Sequence, residues 1–309
     1  MNSIRTVALT GATGFIGINL LNIFVRQGLK IRALYRSESP GSRPDLPGIS
    51  WVKGSVKDVD ALRKLVSGAD AVVHCAGVVK ALDPRDFFTV NTLGTRAVLE
   101  AMEAVCQEPR LLFISSLAAR HPSISPYAES KYKAEELIKR WGCGSWTIIR
   151  PPAVYGPGDK EIVPIFKAMQ KGLAFIPGSG SNRFSLIHVF DLAEAVLEVV
   201  RDGHKSAKIL EIHDGTPGGY SWMDVIHTCQ TVFGRKILTV TVPGPVLKLV
   251  GLGGLVTSRL RSRPVMLTPW KVRELLHPDW VCANNVQEHG LSWMPRLTLK
   301  LALENGLVG

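Results

Sequence analysis

The sequence predicts an α/β fold, a doubly wound parallel sheet with a smaller, mostly C-terminal lobe. Three observations predict it. Short apolar runs alternate with longer helical patterns through the first half of the 309 residues, the rhythm of βαβ units. Each run is nearly all apolar, as a strand covered on both faces must be. The first run ends in glycines that open a helix, the context in which a glycine turn has structural meaning.

Taken in order, strands are expected at Thr6–Thr10, Lys30–Tyr35, 50–52, Ala71–His74, 111–115 and 146–149, with helices beginning near Gly14, Asp58, Pro84 and Pro126. After Arg150-Pro151-Pro152 the rhythm changes to Pro/Gly-rich passages, Gly156-Pro157-Gly158 and Pro177-Gly178-Ser179-Gly180, which mark a change of lobe. Residues 184–200 read as a strand and a helix, and 208–213 as one more strand. The expected organisation is therefore a first domain over 1–155 to which 182–213 returns, and a second lobe made of 156–181 and 214–309.

Composition narrows the classes of function. A chain that is 46% hydrophobic and 20% charged buries a substantial core. The formal charge of +11 favours anionic partners: a phosphorylated cofactor, an acidic substrate or an anionic surface. Basic residues are scattered, densest at Arg259, Arg261 and Arg263, with no aromatic-studded basic strand, so no nucleic-acid partner is expected. Cys75, Cys106, Cys143, Cys229 and Cys282 are odd in number and form no CxxC pair, which argues against a disulfide framework and for a reducing, cytoplasmic setting. His74, His121, His188, His213 and His227 lack close ligand spacing, so no metal is expected. The first apolar run begins within a few residues of Met1, without the long apolar region of a secretory signal.

The turn Gly11-Ala12-Thr13-Gly14-Phe15-Ile16-Gly17 carries the first chemical reading. Glycines here let the backbone turn tightly, admit a pyrophosphate close to main-chain N–H groups, and let the helix pack near the strand. Gly11, Thr13, Gly14, Phe15, Ile16 and Gly17 are thus expected to hold a dinucleotide. About 20 residues later, where an acid would bind a ribose hydroxyl, stands Ala33-Leu34-Tyr35-Arg36-Ser37. Arg36 makes paired hydrogen bonds to a 2′-phosphate where a carboxylate would repel it, so NADP(H) is expected ahead of NAD(H). Arg32 and Arg43 are expected helpers.

Pro126-Tyr127-Ala128-Glu129-Ser130-Lys131 opens a helix with Tyr127 and Lys131 a turn apart on one face. A cation about 5 Å from the phenol, at an effective dielectric of 20, contributes on the order of 3 kcal/mol, or about two pKa units, in favour of phenolate. The pair suits reversible proton transfer.

Together the glycine turn, the strand ending Phe113-Ile114-Ser115-Ser116, and Tyr127 with Lys131 resemble the short-chain dehydrogenase/reductase superfamily, in its extended, epimerase/dehydratase-like branch and with its Rossmann-like sheet. The resemblance covers nearly the whole chain. Further matches are His74-Cys75-Ala76-Gly77, similar to the family's cofactor-side turn; Val90-Asn91-Thr92-Leu93-Gly94-Thr95, similar to its mid-helix asparagine; 150–158, similar to its nicotinamide-side passage; and 185–193, similar to a later strand-to-helix signature.

The resemblance implies that Ser116 hydrogen-bonds the substrate oxygen and Tyr127 exchanges its proton. It implies that Lys131 holds the cofactor ribose while biasing Tyr127, and that Asn91 places Lys131 through water. It also implies that Ser55, Val56, Cys75, Ala76, Gly77, Pro151 and Val154 line the cofactor. Ser115 competes with Ser116 for the serine role. Two departures stand out: Gly54-Ser55-Val56 replaces a frequent acid, with Asp58 the nearby candidate for adenine, and Phe190 stands where an acid is frequent. The short gap between Ser116 and Tyr127 argues against a bulky nucleotide-sugar substrate. Arg183 lies where relatives that handle nucleotide-sugars would use a cation on diphosphate, with a loop arginine the alternative.

In the second lobe, 242–263 reads first as an amphipathic helix packed on the core, and behind that as a lipophilic portal or a helix lying on a membrane surface; the run is too short and too charged to span a bilayer. Trp270, Trp280 and Trp293 add apolar bulk there. The expected function is a carbonyl/alcohol oxidoreductase acting on a small molecule, hydrophobic or sterol-like. Alternatives are a nucleotide-sugar epimerase or dehydratase, and a non-catalytic NADP(H)-binding sensor or scaffold. A homodimer is compatible with this reading.

Overall fold

The computed structural model describes the chain apart from residues 1–3, 37–42, 106–109, 203–206, 262–264, 266, 284–289 and 309. Ser37, Cys106, Arg263 and the side chains of Arg259 and Arg261 therefore lie outside the described residues.

The chain begins β1 (Thr6–Thr10), α1 (Phe15–Arg26), β2 (Lys30–Tyr35), β3 (Ile49–Lys53), α2 (Val59–Val66) and β4 (Ala71–His74). It continues α3 (Pro84–Phe87), a π turn (Phe88–Thr92), α4 (Leu93–Val105), β5 (Arg110–Ile114), α5 (Pro126–Lys139) and β6 (Ser145–Arg150). Then come β7 (Ala153–Tyr155), α6 (Val163–Gln170), β8 (Leu173–Pro177), β9 (Arg183–Phe184), β10 (Leu186–His188), α7 (Val189–Asp202) and β11 (Lys208–Glu211). The last elements are β12 (Tyr220–Ser221), α8 (Trp222–Phe233), β13 (Leu238–Val242), α9 (Gly244–Arg261), α10 (Pro269–Leu275), β14 (Asp279–Trp280) and α11 (Leu299–Glu304).

Seven parallel strands form the main sheet in the order β11-β6-β5-β4-β1-β2-β3. The chain runs outward from β1 to β3 and then returns to β4 on the other side of β1. That reversal opens a crevice at the C-terminal ends of β1 and β4, where doubly wound sheets bind ligands. The sheet is Rossmann-like.

Both faces are covered. Leu20, Leu21 and Phe24 of α1 meet Val196 and Val200 of α7 on one face; Leu62, Val98, Met102, Ala134 and Ile138 pack over Val72 and Phe113 on the other. Local chemistry sets the helix starts. Asp58 accepts from Ala61 N at 3.0 Å before α2, and Ser125 accepts from Ala128 N at 3.0 Å before α5, each satisfying a donor that the first turn leaves unpaired.

The helix expected near Pro84 is broken by the π turn, which lifts Asn91 out of the regular ladder; such turns concentrate at functional sites. A third core holds the second lobe: Tyr155, Phe166, Met169, Trp222, Ile226 and Leu299 among others. Among the described residues no helix is long and apolar enough to cross a membrane.

Candidate active site

The glycine turn and the turn after β4 touch backbone to backbone. Gly11 has φ of +72°, and a Cβ there would lie 2.6 Å from Ala76 N; a Cβ on Gly17 would run into the Gly11 carbonyl oxygen. Gly14 N donates to Gly11 O at 3.0 Å. Thr13 and Gly14 are exposed, Phe15 and Ile16 half-buried, and the first turn of α1 has no acid. Open N–H groups at a helix N-terminus, in a cradle that any side chain would fill, fit a pyrophosphate. The loop after β7 closes one side: a Cβ on Gly158 would lie 3.7 Å from the Phe15 ring. Pro151 is buried, accepting from Leu117 N at 2.9 Å, and Val154 packs on the main core.

Arg36 is exposed at the C-terminal end of β2. Arg43 lies with its guanidinium 4.3 Å from the Tyr35 ring centroid, a cation–π contact that brings a second cation to the same strand end. Arg32 is a correction: its guanidinium donates to Lys64 O and Leu65 O at 3.1 Å each and to Ser67 O. It satisfies the carbonyls left open at the end of α2. Asp58, the alternative adenine acid, caps α2. Ser55 accepts from Lys57 N at 3.2 Å, and Val56 is buried against Gly94 of α4.

A chain of hydrogen bonds that sequence reasoning missed runs beneath this crevice. Thr95 Oγ1 donates to Asn91 O at 2.6 Å, so it accepts from His74 Nε2 at 3.0 Å. His74 Nδ1 must then accept from Thr10 Oγ1 at 2.6 Å, and Thr10 accepts from Ala76 N at 3.1 Å. Each donor has one acceptor only if His74 is neutral with its proton on Nε2. Burial and the Lys131 charge push His74 down to about 3, consistent with that assignment.

Asn91 clamps the turn that follows. Its Oδ1 accepts from Val78 N at 2.9 Å, and its Nδ2 donates to Val78 O at 3.1 Å and Ser130 Oγ at 2.9 Å. Lys131 Nζ donates to Ile114 O at 2.7 Å and lies 4.5 Å from the Phe113 ring centroid. The ammonium also neighbours Gly77, where a Cβ would lie 3.6 Å from Nζ. Lys131, Asn91, Gly77, Ala76 and Gly11 thus form one contiguous wall. Cys75 carries the wall toward Lys131, its thiol raised to about 12 by burial against the lowering effect of the ammonium.

Tyr127 and Ser116 come together. The Ser116 hydroxyl lies near enough to the phenol to favour its ionised form, and the same oxygen accepts from Ala118 N at 3.2 Å. Ser115 is turned away, donating to the buried Glu135 carboxylate at 2.5 Å. Geometry therefore separates the two serines. Burial raises the phenol to about 12, against the Ser116 hydroxyl and with a further push from Glu274. The expected lowering by Lys131 is a correction: desolvation outweighs any neighbouring cation, and the ammonium is directed at Ile114 O and Phe113. Lys131 itself is lowered to about 8 by burial, opposed by Cys75 and Glu135.

Behind the serines, Glu135 accepts from Arg150 Nε at 2.9 Å and Nη2 at 2.5 Å. Arg150 also faces Glu211 at 3.6 Å, which pairs with Arg120 at 3.2 Å. Two acids and two arginines from β6, β11, α5 and the loop after β5 thereby lock the strand ends.

A narrow cleft lies beyond Tyr127, lined by Val79, Lys80, Phe87, Val265, Trp270 and Lys271. The Phe87 ring stands edge-on to Tyr127, centroids 6.0 Å apart. Glu274 of α10 binds Ser125, the cap of α5, and accepts from Lys271 Nζ at 2.8 Å, so the second lobe is fastened at the start of the helix that carries Tyr127. Lys80 pairs with Glu161 across the rim. Arg183 donates to Gly218 O at 2.7 Å and Gly219 O at 2.9 Å, where it ties β9 to the turn before β12. Trp293 is buried in the main core, and Trp280 Nε1 donates to Glu274 O at 2.8 Å. Phe190 stacks edge-on against His188, centroids 4.8 Å apart.

The model of the family described as NAD dependent epimerase/dehydratase matches residues 7–212. A ceramide reductase of Caulobacter vibrioides is 34% identical over 287 residues, covering 92% of this chain and 88% of the relative. An N-acetyl-alpha-D-glucosaminyl-diphospho-ditrans,octacis-undecaprenol 4-epimerase of Escherichia coli is 25% identical over 324 residues, covering 97% and 94%. The Bordetella bronchiseptica enzyme WbmH in complex with NAD+ superposes with a TM-score of 0.72 at 18% identity, over 97% of this chain and 96% of that one.

Proposed function

We propose that this chain, which belongs to the NAD dependent epimerase/dehydratase family, reduces a ketone on a long, apolar substrate to a secondary alcohol, with NADP(H) as its cofactor. The observation that carries this reading is the cleft at the phenol. Tyr127 lines a small cleft with Val79, Ala81, Phe87, Val265 and Trp270, beside Lys80, Thr268, Lys271 and Glu274, and its apolar side chains favour hydrocarbon over a sugar. Arg183, the cation expected for diphosphate, is occupied by Gly218 and Gly219 carbonyls, which speaks against a nucleotide-sugar. The similarity to a ceramide reductase supports the same substrate class. A Tyr–Ser pair beside a buried lysine is unneeded in a protein that only binds the dinucleotide.

The cofactor, when bound, supplies hydride to the carbonyl carbon and is itself oxidised. Gly11, Thr13, Gly14, Phe15, Ile16 and Gly17 would hold its pyrophosphate, Lys131 its ribose, and Arg36 a 2′-phosphate. Ser116 and Tyr127 converge on the carbonyl oxygen. The phenol gives its proton as charge develops there, and the serine hydroxyl donates a second hydrogen bond. Because burial keeps Tyr127 protonated up to about 12, the phenol is a donor at neutral pH, which suits reduction. Asn91 holds the Val78 turn and Ser130, next to Lys131 on α5.

Two measurements test the reading. NADPH oxidation is followed spectrophotometrically with long-chain β-keto amides and with nucleotide-sugars; turnover of the sugars alone overturns it. Arg36→Asp weakens NADPH binding at least about tenfold more than NADH binding, and equal loss for both removes the NADP assignment.

The pH profile is a further expectation. Lys131 loses its proton near 8, so kcat/KM for reduction, which reports the free enzyme, falls as pH rises through about 8 and is flat below it. Lys131→Arg, which keeps the charge at alkaline pH, moves that limb upward; a profile unchanged in the variant dissociates the lysine from it.

A further inference from the structure

Helix α9 is turned inside out for a helix of a globular lobe. At about 100° per residue, Leu247, Gly251, Gly254 and Ser258 fall on one stripe, and this stripe is the packed one: Leu247, Gly251 and Ser258 are buried. The large side chains Val246, Leu249, Val250, Leu252, Val256 and Leu260 lie on the outer side and are exposed, Leu249 at 68% and Leu260 at 82%.

The packed stripe is small for a reason. A Cβ on Gly254 would run into Leu267 O, and one on Gly251 would lie 3.2 Å from Pro269 N. The helix backbone sits directly on Val265 and on residues 267–272, and Val265, Thr268, Trp270 and Lys271 line the substrate cleft. The strand pair leading into α9 repeats the pattern, with Phe175 of β8 and Leu238 and Val240 of β13 exposed. Apolar surface on this scale marks an interaction face.

Charge identifies the occupant. Between Asp224 and Glu274 the sequence holds eight basic residues, Arg235, Lys236, Lys248, Arg259, Arg261, Arg263, Lys271 and Arg273, and no acidic one. A second copy of the chain would bring two such stretches together, like charge against like. An anionic bilayer complements the stretch: an outward apolar stripe within basic sequence is the pattern of a helix lying in the headgroup plane.

We propose that the exposed face of α9 docks this protein on the surface of an anionic lipid membrane, with the mouth of the cleft beside the lipid. The value of that placement rests on the apolar-substrate reading above; the docking itself does not. It would let a membrane-resident substrate enter along Val265 and Trp270.

The test uses the full chain in co-sedimentation with phosphatidylcholine vesicles, alone or with about one-third phosphatidylglycerol. The protein is expected to pellet with the anionic vesicles about tenfold more than with neutral ones, and to be partly released at high salt. Leu249→Glu with Leu260→Glu, both at exposed positions, reduces pelleting to background while leaving the thermal midpoint, NADPH titration and turnover of a short, water-soluble ketone unchanged. Failure of the wild type to pellet, or pelleting retained by the variant, overturns the proposal. So does a sedimentation-velocity dimer that the variant splits without vesicle binding, which would assign the face to a second copy. If the wild type pellets but reduces no ketone, the docking stands and the substrate reading falls.

Discussion

Tyr127→Phe is expected to lower kcat for ketone reduction by about 10²–10⁴, with NADPH binding within about twofold of wild type. The substitution removes one oxygen and leaves the ring against Phe87, so packing changes little. What goes is the donor. Ser116 remains, but its oxygen already accepts from Ala118 N, and an aliphatic hydroxyl is a far weaker acid than a phenol. Single-turnover kinetics with NADPH in excess checks this, since it isolates the chemical step from product release. Turnover equal to wild type would remove the phenol from the proton path and return the site to a nucleotide-binding role.

The largest structural effect is expected from Arg150→Met. Glu135 is fully buried and takes both of its strong bonds from Arg150, with Ser115 as its remaining donor. Removing the guanidinium leaves a buried carboxylate without its partner, which costs about 3–5 kcal/mol and lowers the thermal midpoint by roughly 10 °C. Glu135→Gln combined with Arg150→Met recovers a large part of the loss, because no unpaired charge is then buried. Differential scanning calorimetry of the three proteins decides it. A midpoint drop below about 2 °C in the single variant would mean that water replaces the arginine without cost. The network lies directly behind Ser115, so the same variant reports how firmly the strand end holds Ser116 toward the phenol.

Much of this arrangement was legible in the order of residues. The apolar run Thr6–Thr10, followed by Gly11, Gly14 and Gly17, predicts a strand, a tight turn and a helix from local sterics alone, and the backbone contact of Gly11 with Ala76 is the long-range counterpart. The spacing of Tyr127 and Lys131 places them on one face because helical period is local. Arg36 was legible in the same way, as a cation at a strand end where an acid is otherwise found. Arg32 was not separable from it, because the carbonyls it satisfies belong to α2, more than thirty positions along the chain.

The electrostatic expectation failed for a similar reason. A four-residue spacing predicts that Lys131 lowers Tyr127, yet burial decides the phenol's pKa, and burial comes from Phe87 and the second lobe. Asn91 is recognisable by resemblance, while the π turn that lifts it out of the helix is fixed by Val78 and Ser130. In α9 the apolar period gives a stripe and its direction along the helix; which side faces inward depends on the close seat that Gly251 and Gly254 allow against 267–269.

The sequence by itself determined the parallel α/β sheet, the glycine turn and the residue types proposed for cofactor binding and proton transfer, because strand and helix periods and glycine sterics act over a few residues. Only the tertiary structure decided that Ser116 and not Ser115 meets the phenol, that Tyr127 is held protonated, and that the apolar side of α9 faces outward. These outcomes depend on groups far apart in the chain, Ser115 with Glu135, and Ser125 with Glu274 across 149 positions, and desolvation and packing exist only once such groups have been brought together.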